Sequence, residues 1–172
     1  ETLMPLKAAR SVAAWVDKTR RTTVFYFTNP DASVTIYQNQ MAGDNDFYDH
    51  VFGNPRLHSP TLSTLLVEDN QLPPVKFITI NDANTEPDIT PDLTAQFPQL
   101  TITRTHAQLV EGTARGINKG EGLRKLCELL DIDRKHVMAV GDNDKDIPML
   151  EAAGFAVAMG NASTGCKEIA DW

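Results

Sequence analysis

Apolar residues recur at helical spacing from residue 5 to residue 18, where Leu6, Ala9, Val12, Ala13 and Val16 share one face. Arg20 and Arg21 close that helix, and the β-branched and aromatic run TTVFYFT at 22–28 predicts a strand. Asn29-Pro30-Asp31 supplies a turn, and the alternating SVTIYQ at 33–38 pairs back on the strand as a hairpin. Residues 44–52 predict a helix with Phe47, Tyr48, Val51 and Phe52 on its apolar side. Ser59 is placed to cap a short helix reaching residue 67. Pro73-Pro74 breaks the chain before the strand VKFITI at 75–80. A helix over 88–97 is interrupted by Pro91, and 100–103 and 107–110 read as short strands about a turn at Thr105-His106. Helices mixed with hairpin-like strands give residues 1–115 an α+β character.

From Gly116 the order changes to helix, buried strand, helix, buried strand, helix. That alternation predicts an α/β fold with parallel strands and a domain boundary at about residue 115. Asn118 is a good N-cap with Glu121 three residues on, and Leu123, Leu126, Cys127 and Leu130 form the expected buried stripe of the first helix. The apolar run 137–140 predicts a strand buried on both faces, and 155–159 predicts a second. Right-handed crossovers bring the carboxyl ends of parallel strands to one edge, so Gly141-Asp142 and Gly160-Asn161 open into one crevice.

The candidate chemistry concentrates there. Asp142, Asp144 and Asp146 stand at alternate positions after the first of these strands, ahead of a helix with Pro148 in its first turn. Two readings fit: acids that complement a helix dipole, or hard oxygen ligands for Mg²⁺ or Ca²⁺. The spacing also opens an EF-hand loop, but Ile147 stands where that loop needs Gly and Ala153 where it needs Glu. Lys119, at the first helical position, is either a solvated lysine or a cation facing an anion near the helix start. Asn161 either caps the segment through Ile169 or borders the site.

The 172 residues suit one ordinary domain or two small ones, and 41% hydrophobic with 23% charged residues describe a globular chain. A net charge of −7 argues against nucleic acid or an anionic membrane as partner. No apolar run approaches the roughly 20 residues that span a bilayer, and no signal-peptide pattern opens the chain. Cys127 and Cys166 lack metal-type spacing, and Cys127 falls on an apolar helix face. The cytoplasm is the expected compartment. A start at Glu1 and an end at Asp171-Trp172 lead to the expectation of a piece cut from something longer.

Asn118-Lys119-Gly120, then Gly141-Asp142-x-x-Lys145-Asp146-Ile147-x-Met149-Leu150, then Ala152-Ala153-Gly154 and Val157-Ala158-Met159-Gly160-Asn161-Ala162, together resemble the Cof-type phosphatases of the haloacid dehalogenase superfamily. The resemblance is dense over 116–172, and 1–115 is similar to that family's inserted α/β cap. It implies an α+β cap followed by part of a Rossmann-like parallel-sheet core. It implies further an aspartyl-phosphate mechanism with a second aspartate as acid and base, Mg²⁺ bridging nucleophile and substrate, and a lysine steadying phosphoryl charge. Carried over, Lys119 matches the catalytic lysine, Asp142 and Asp146 the metal-site acids, and Asn143, Lys145 and Asn161 lie near substrate phosphate.

Two departures stand out. The family's Gly-Asp-x-x-Asn-Asp has Lys145 in place of the asparagine. The nucleophilic Asp-x-Asp after an apolar strand is not found: Asp44-Asn45-Asp46 lacks strand and glycine, and Asp131-Ile132-Asp133 ends a helix. The family's Ser/Thr motif is absent as well. The resemblance therefore implies part of a Mg²⁺-dependent phosphomonoesterase for sugar phosphates or other small phosphorylated metabolites. This piece is expected to be inactive alone and to partner a missing N-terminal core segment of the same protein. The alternative is a non-catalytic binding or regulatory module on a degenerate phosphatase scaffold.

Overall fold

A computed structural model describes residues 2–40, 46–53, 55–67 and 72–172. The chain divides into two compact units, Glu1–Arg115 and Gly116–Trp172. In the first, the helix α1 (Leu6–Thr19) buries Ala8, Ala9, Val12, Ala13 and Val16 and ends at Arg20 in the left-handed region, φ 55°. The strands β1 (Thr23–Thr28) and β2 (Val34–Gln38) form the expected antiparallel hairpin, with Phe25 opposite Tyr37. After α2 (Asp46–Phe52) and β3 (Leu57–His58) come β4 (Lys76–Ile80), α3 (Thr90–Gln96), β5 (Leu100–His106) and β6 (Leu109–Ala114).

These strands form one six-stranded sheet in the order β3-β2-β1-β4-β6-β5, antiparallel except for the short β2-β3 pair. Successive side chains of a strand point to opposite faces, and β1 is apolar on both. Phe25 and Phe27 join Phe77, Val110 and the α1 stripe in one core. Val24 and Tyr26 join Ile78, Leu109 and Phe52 in the other, where Tyr26 Oη donates to Phe52 O at 3.0 Å.

Three local expectations change. Ser59 is not a cap. The 3₁₀ turn Leu62–Leu66 takes its cap from α1, where the Asp17 carboxylate accepts the N–H groups of Leu62 at 2.8 Å and Ser63 at 3.1 Å. Pro91 begins α3 rather than interrupting it, since proline suits a first turn. The hairpin turns at 107–108, not at Thr105-His106. The register shifts between Arg104 and His106, and the Arg104 guanidinium bonds Asn81 O at 3.0 Å and Ala107 O at 2.9 Å across that bend. The two-residue β3 was not foreseen, being too short to show an alternation. Residues 44–45 of the expected 44–52 helix lie outside the described residues.

The second unit runs α4 (Lys119–Leu130), β7 (Met138–Gly141), α5 (Ile147–Ala152), β8 (Phe155–Ala158) and α6 (Thr164–Ile169). As expected, β7 and β8 pair in parallel, Gly141 opposite Ala158. Their small residues Ala139 and Ala156 pack with Leu150 and Cys166 from the helices and with Ala162 from the loop before α6. The expectation of burial on both faces fails: Met138 is 63% exposed and Val140 49%. The α4 stripe fails likewise, because Cys127 is buried while Leu126 and Leu130 are exposed. A two-strand sheet offers the helices one face to cover, so the apolar residues of the other face remain open.

The Asp17 bonds tie α1 to the turn 62–66 across the first unit. Asp17→Ala leaves two N–H groups without a protein acceptor and is expected to lower stability by about 1–2 kcal/mol. Urea unfolding followed by circular dichroism checks this as a shift in midpoint at constant slope.

Candidate active site

The site begins with a close backbone approach. A Cβ on Gly120 would stand 2.1 Å from Pro148 O, so only glycine lets α4 lie this close to the start of α5. The preceding residue, Lys119, opens α4 behind the Asn118 cap, whose side chain accepts Glu121 N–H at 2.9 Å. Lys119 Nζ then reaches across to Asp146 Oδ1.

Asp146 is 4% exposed. Its Oδ2 accepts the N–H groups of Asp142 at 3.1 Å and Asn143 at 3.2 Å. The chain can fold back over it because Gly141 carries no side chain; a Cβ there would meet Asp146 Cβ at 2.6 Å. Asn143 closes the turn from the other side, with Asp146 N–H donating to Asn143 O at 2.7 Å and Lys145 N–H to Asn143 Oδ1 at 3.2 Å. Burial works against the Asp146 charge, but the Lys119 ammonium and the two loop N–H groups outweigh it and hold the carboxyl below the usual carboxylate range.

The three acids therefore differ. Asp146 is buried and anchors the loop. Asp144 accepts the Ser163 hydroxyl at 2.5 Å. Asp142 is exposed, and its Oδ2 receives one long bond, from Asn161 Nδ2 at 3.4 Å. Met159 N–H donates to Gly141 O at 3.0 Å and Ser163 N–H to Asp142 O at 2.9 Å, so the loops after β7 and β8 are laced edge to edge. Lys119, Asp142, Asp146 and Asn161 come together at this strand edge. Asn143 serves the turn, and Lys145 lies beside it, half-buried. Asn161 is not the cap of α6; Ser163 is, with its Oγ accepting Cys166 N–H at 3.3 Å. Sequence reasoning missed Ser163, although a serine just ahead of a helix is the usual sign of a cap.

Asp131 and Asp133 have other uses. Asp131 ends α4 in the left-handed region at φ 52°, and Asp133 accepts Lys135 N–H at 3.1 Å as the cap of the next turn. The Asp44-Asn45 pair lies outside the described residues.

Among the described residues no three His, Cys, Asp or Glu side chains converge as a metal cage. The donor set still fits Mg²⁺, which takes one or two carboxylates and keeps water or phosphate oxygens in its remaining positions. Asp142 offers a hard, exposed carboxylate for that purpose. Among the same residues no helix is long and apolar enough to cross a membrane.

The sequence profile of the haloacid dehalogenase-like hydrolases matches residues 2–172. A phosphoglycolate phosphatase of Methanothrix thermoacetophila is 50% identical over 56 residues, 33% of this chain and 25% of the relative. A 5-amino-6-(5-phospho-D-ribitylamino)uracil phosphatase of Bacillus subtilis is 45% identical over 74 residues, 43% of this chain and 30% of the relative. A crystal structure from Thermotoga maritima superposes with a TM-score of 0.81 at 22% identity, covering 99% of this chain and 61% of the other. The chain thus spans less than two thirds of the proteins it resembles.

The Asp146 geometry sets a pH dependence. Its folded-state carboxyl titrates below the unfolded value, so the stability it contributes is fully present above about pH 5 and is lost as pH falls through the depressed value. Asp146→Asn is expected to remove this contribution and flatten the fall in stability below about pH 4. Urea midpoints measured from pH 3 to pH 7 for both proteins check it.

Proposed function

The chain belongs to the haloacid dehalogenase-like hydrolases, and we propose that it is part of a Mg²⁺-dependent phosphomonoesterase acting on small phosphorylated metabolites such as sugar phosphates. The observation that carries this reading is the ammonium of Lys119 held on buried Asp146, beside the exposed carboxylate of Asp142. Phosphoryl transfer depends on positioning and charge neutralisation rather than on elaborate covalent chemistry. A fixed cation next to a metal-binding carboxylate suits that requirement.

In this reading Asp142 is the chain's Mg²⁺ ligand. Bound there, Mg²⁺ supplies charge neutralisation to the phosphoryl oxygens. Lys119 is the catalytic lysine: three N–H donors project from its ammonium, and Asp146 occupies one of them, leaving donors for a phosphoryl oxygen. Asp146 holds Lys119 in place and completes the acidic edge of the site. Asn161 steadies Asp142 through its amide. Asn143 and Lys145 border the phosphate, Asn143 chiefly by shaping the turn. The names of the two curated relatives, both phosphatases of small metabolites, support the substrate class. The first unit is assigned the role of substrate-selecting cap.

The nucleophile is assigned to a segment outside residues 1–172. The same segment is proposed as the partner that covers the exposed apolar residues of the second unit, Leu126, Leu130, Met138, Val140 and Phe155 among them. Apolar surface of this kind on a parallel sheet fits a neighbouring strand and helix. The proposed setting is the cytoplasm.

The decisive measurement is phosphate release from p-nitrophenyl phosphate and a panel of sugar phosphates, with and without Mg²⁺. The whole protein is expected to turn over with Mg²⁺, residues 1–172 alone are not, and Lys119→Ala in the whole protein should lose at least about a hundredfold in kcat. Phosphate binding without turnover by the whole protein would instead establish a binding module.

Lys145 gives a second test. At about 8 Å in a water-like dielectric, a lysine opposes a divalent ion by about 1 kcal/mol, or roughly fivefold in affinity. Lys145→Asn in the whole protein is expected to tighten Mg²⁺ by about that factor and to weaken inorganic phosphate. Titration of both ligands against both proteins checks it; unchanged constants would remove Lys145 from the site.

A further inference from the structure

Ser163 makes three contacts, two of which tie the two site loops together. Its N–H donates to Asp142 O at 2.9 Å. Its hydroxyl donates to Asp144 Oδ1 at 2.5 Å, and the same oxygen accepts Cys166 N–H at 3.3 Å. Beneath it, the fully buried Cys166 gives its thiol hydrogen to Asn143 O at 3.0 Å. A hydroxyl bonded to a carboxylate at this distance is charge-assisted and among the stronger neutral-to-ion contacts. The surroundings are tight: a Cβ on Gly165 would stand 3.3 Å from Asp144 Oδ1 and 2.9 Å from Ile147 Cδ1. Asp142 is thereby gripped twice by one segment, at its carbonyl by Ser163 and at its carboxylate by Asn161.

We propose that Ser163 and Asp144 form a latch that positions Asp142 for Mg²⁺. Both are positioning residues, and the Asp144 carboxylate is turned to the serine rather than to the ion. The inference rests on the reading of Asp142 as the metal ligand. Without the hydroxyl, Asp144 loses its tie to the segment 161–163, and the Ser163 N–H and the Asn161 amide alone hold Asp142 to that segment. Binding the ion then requires ordering a looser loop, and partners behind a ligand typically set metal affinity by tenfold or more.

The test is calorimetric titration of Mg²⁺ into the whole protein without substrate. Ser163→Ala and Asp144→Ala are each expected to weaken Mg²⁺ binding about tenfold. The double variant should be no weaker than either single one, since both break one bond. Ser163→Thr keeps the hydroxyl and should stay near the parent value, whereas Asp144→Asn keeps an acceptor oxygen without the charge that strengthens the bond and should fall between the parent and Asp144→Ala. Asp144→Asn as weak as Asp144→Ala would mean that the charge matters and not the latch, which overturns the proposal. Parent-like binding in every variant would also overturn it and leave Ser163 a helix cap alone. Should Ser163→Ala not fold, the two Asp144 variants, which leave the α6 cap intact, decide the matter. A parent protein that binds no Mg²⁺ would bring down the metal reading itself and the latch with it.

Discussion

The buried carboxylate of Asp146 is the constraint around which the second unit is arranged. An ionised carboxyl out of water is costly unless it is paired and hydrogen-bonded. Here the partners are two consecutive backbone N–H groups and one ammonium. Meeting that demand fixes much else. The chain after β7 must curl back over the acid, which requires Gly141. The helix carrying Lys119 must lie against the start of α5, which requires Gly120. A buried charge therefore specifies the loop, the helix packing and the position of the cation together.

The same arrangement separates three acids that look alike in the chain. Alternate positions along an extended loop would treat Asp142, Asp144 and Asp146 equivalently. The 3₁₀ turn at Asp144–Asp146 turns the last inward, and the β8 loop captures the middle one through Ser163. Asp142 is left at the edge with one long contact. Two acids are spent on architecture, and the third faces solvent.

The two units differ in how fully each satisfies itself. The first has a six-stranded sheet with apolar clusters on both faces, so β1 is buried throughout its centre. The second has two strands and one small cluster of mostly alanine-sized residues. A core of that size leaves much of its apolar surface open, since small units bury a smaller share of what they could. The exposed leucines of α4 and the outer residues of β7 follow directly.

Local pattern was enough for most elements. The α1 stripe, the TTVFYFT strand and its hairpin, and the Asn118 cap are set by neighbours a few residues away, and such interactions are legible in a linear string. So was the meeting of Gly141-Asp142 with Asn161, because parallel strands must end at one edge. What the string could not show depends on residues far apart in it. Asp17 caps a turn 45 residues away, Lys119 finds Asp146 across 27, and Ser163 finds Asp144 across 19. The exposure of Met138, Val140 and Leu126 likewise belongs to the packing, since an apolar side chain is buried only where another element arrives to cover it. Sequence determined which residues prefer helix, strand or turn and which chemistries were on hand. Tertiary structure alone decided which carboxylate is buried, which is bonded to Ser163 and which is left exposed.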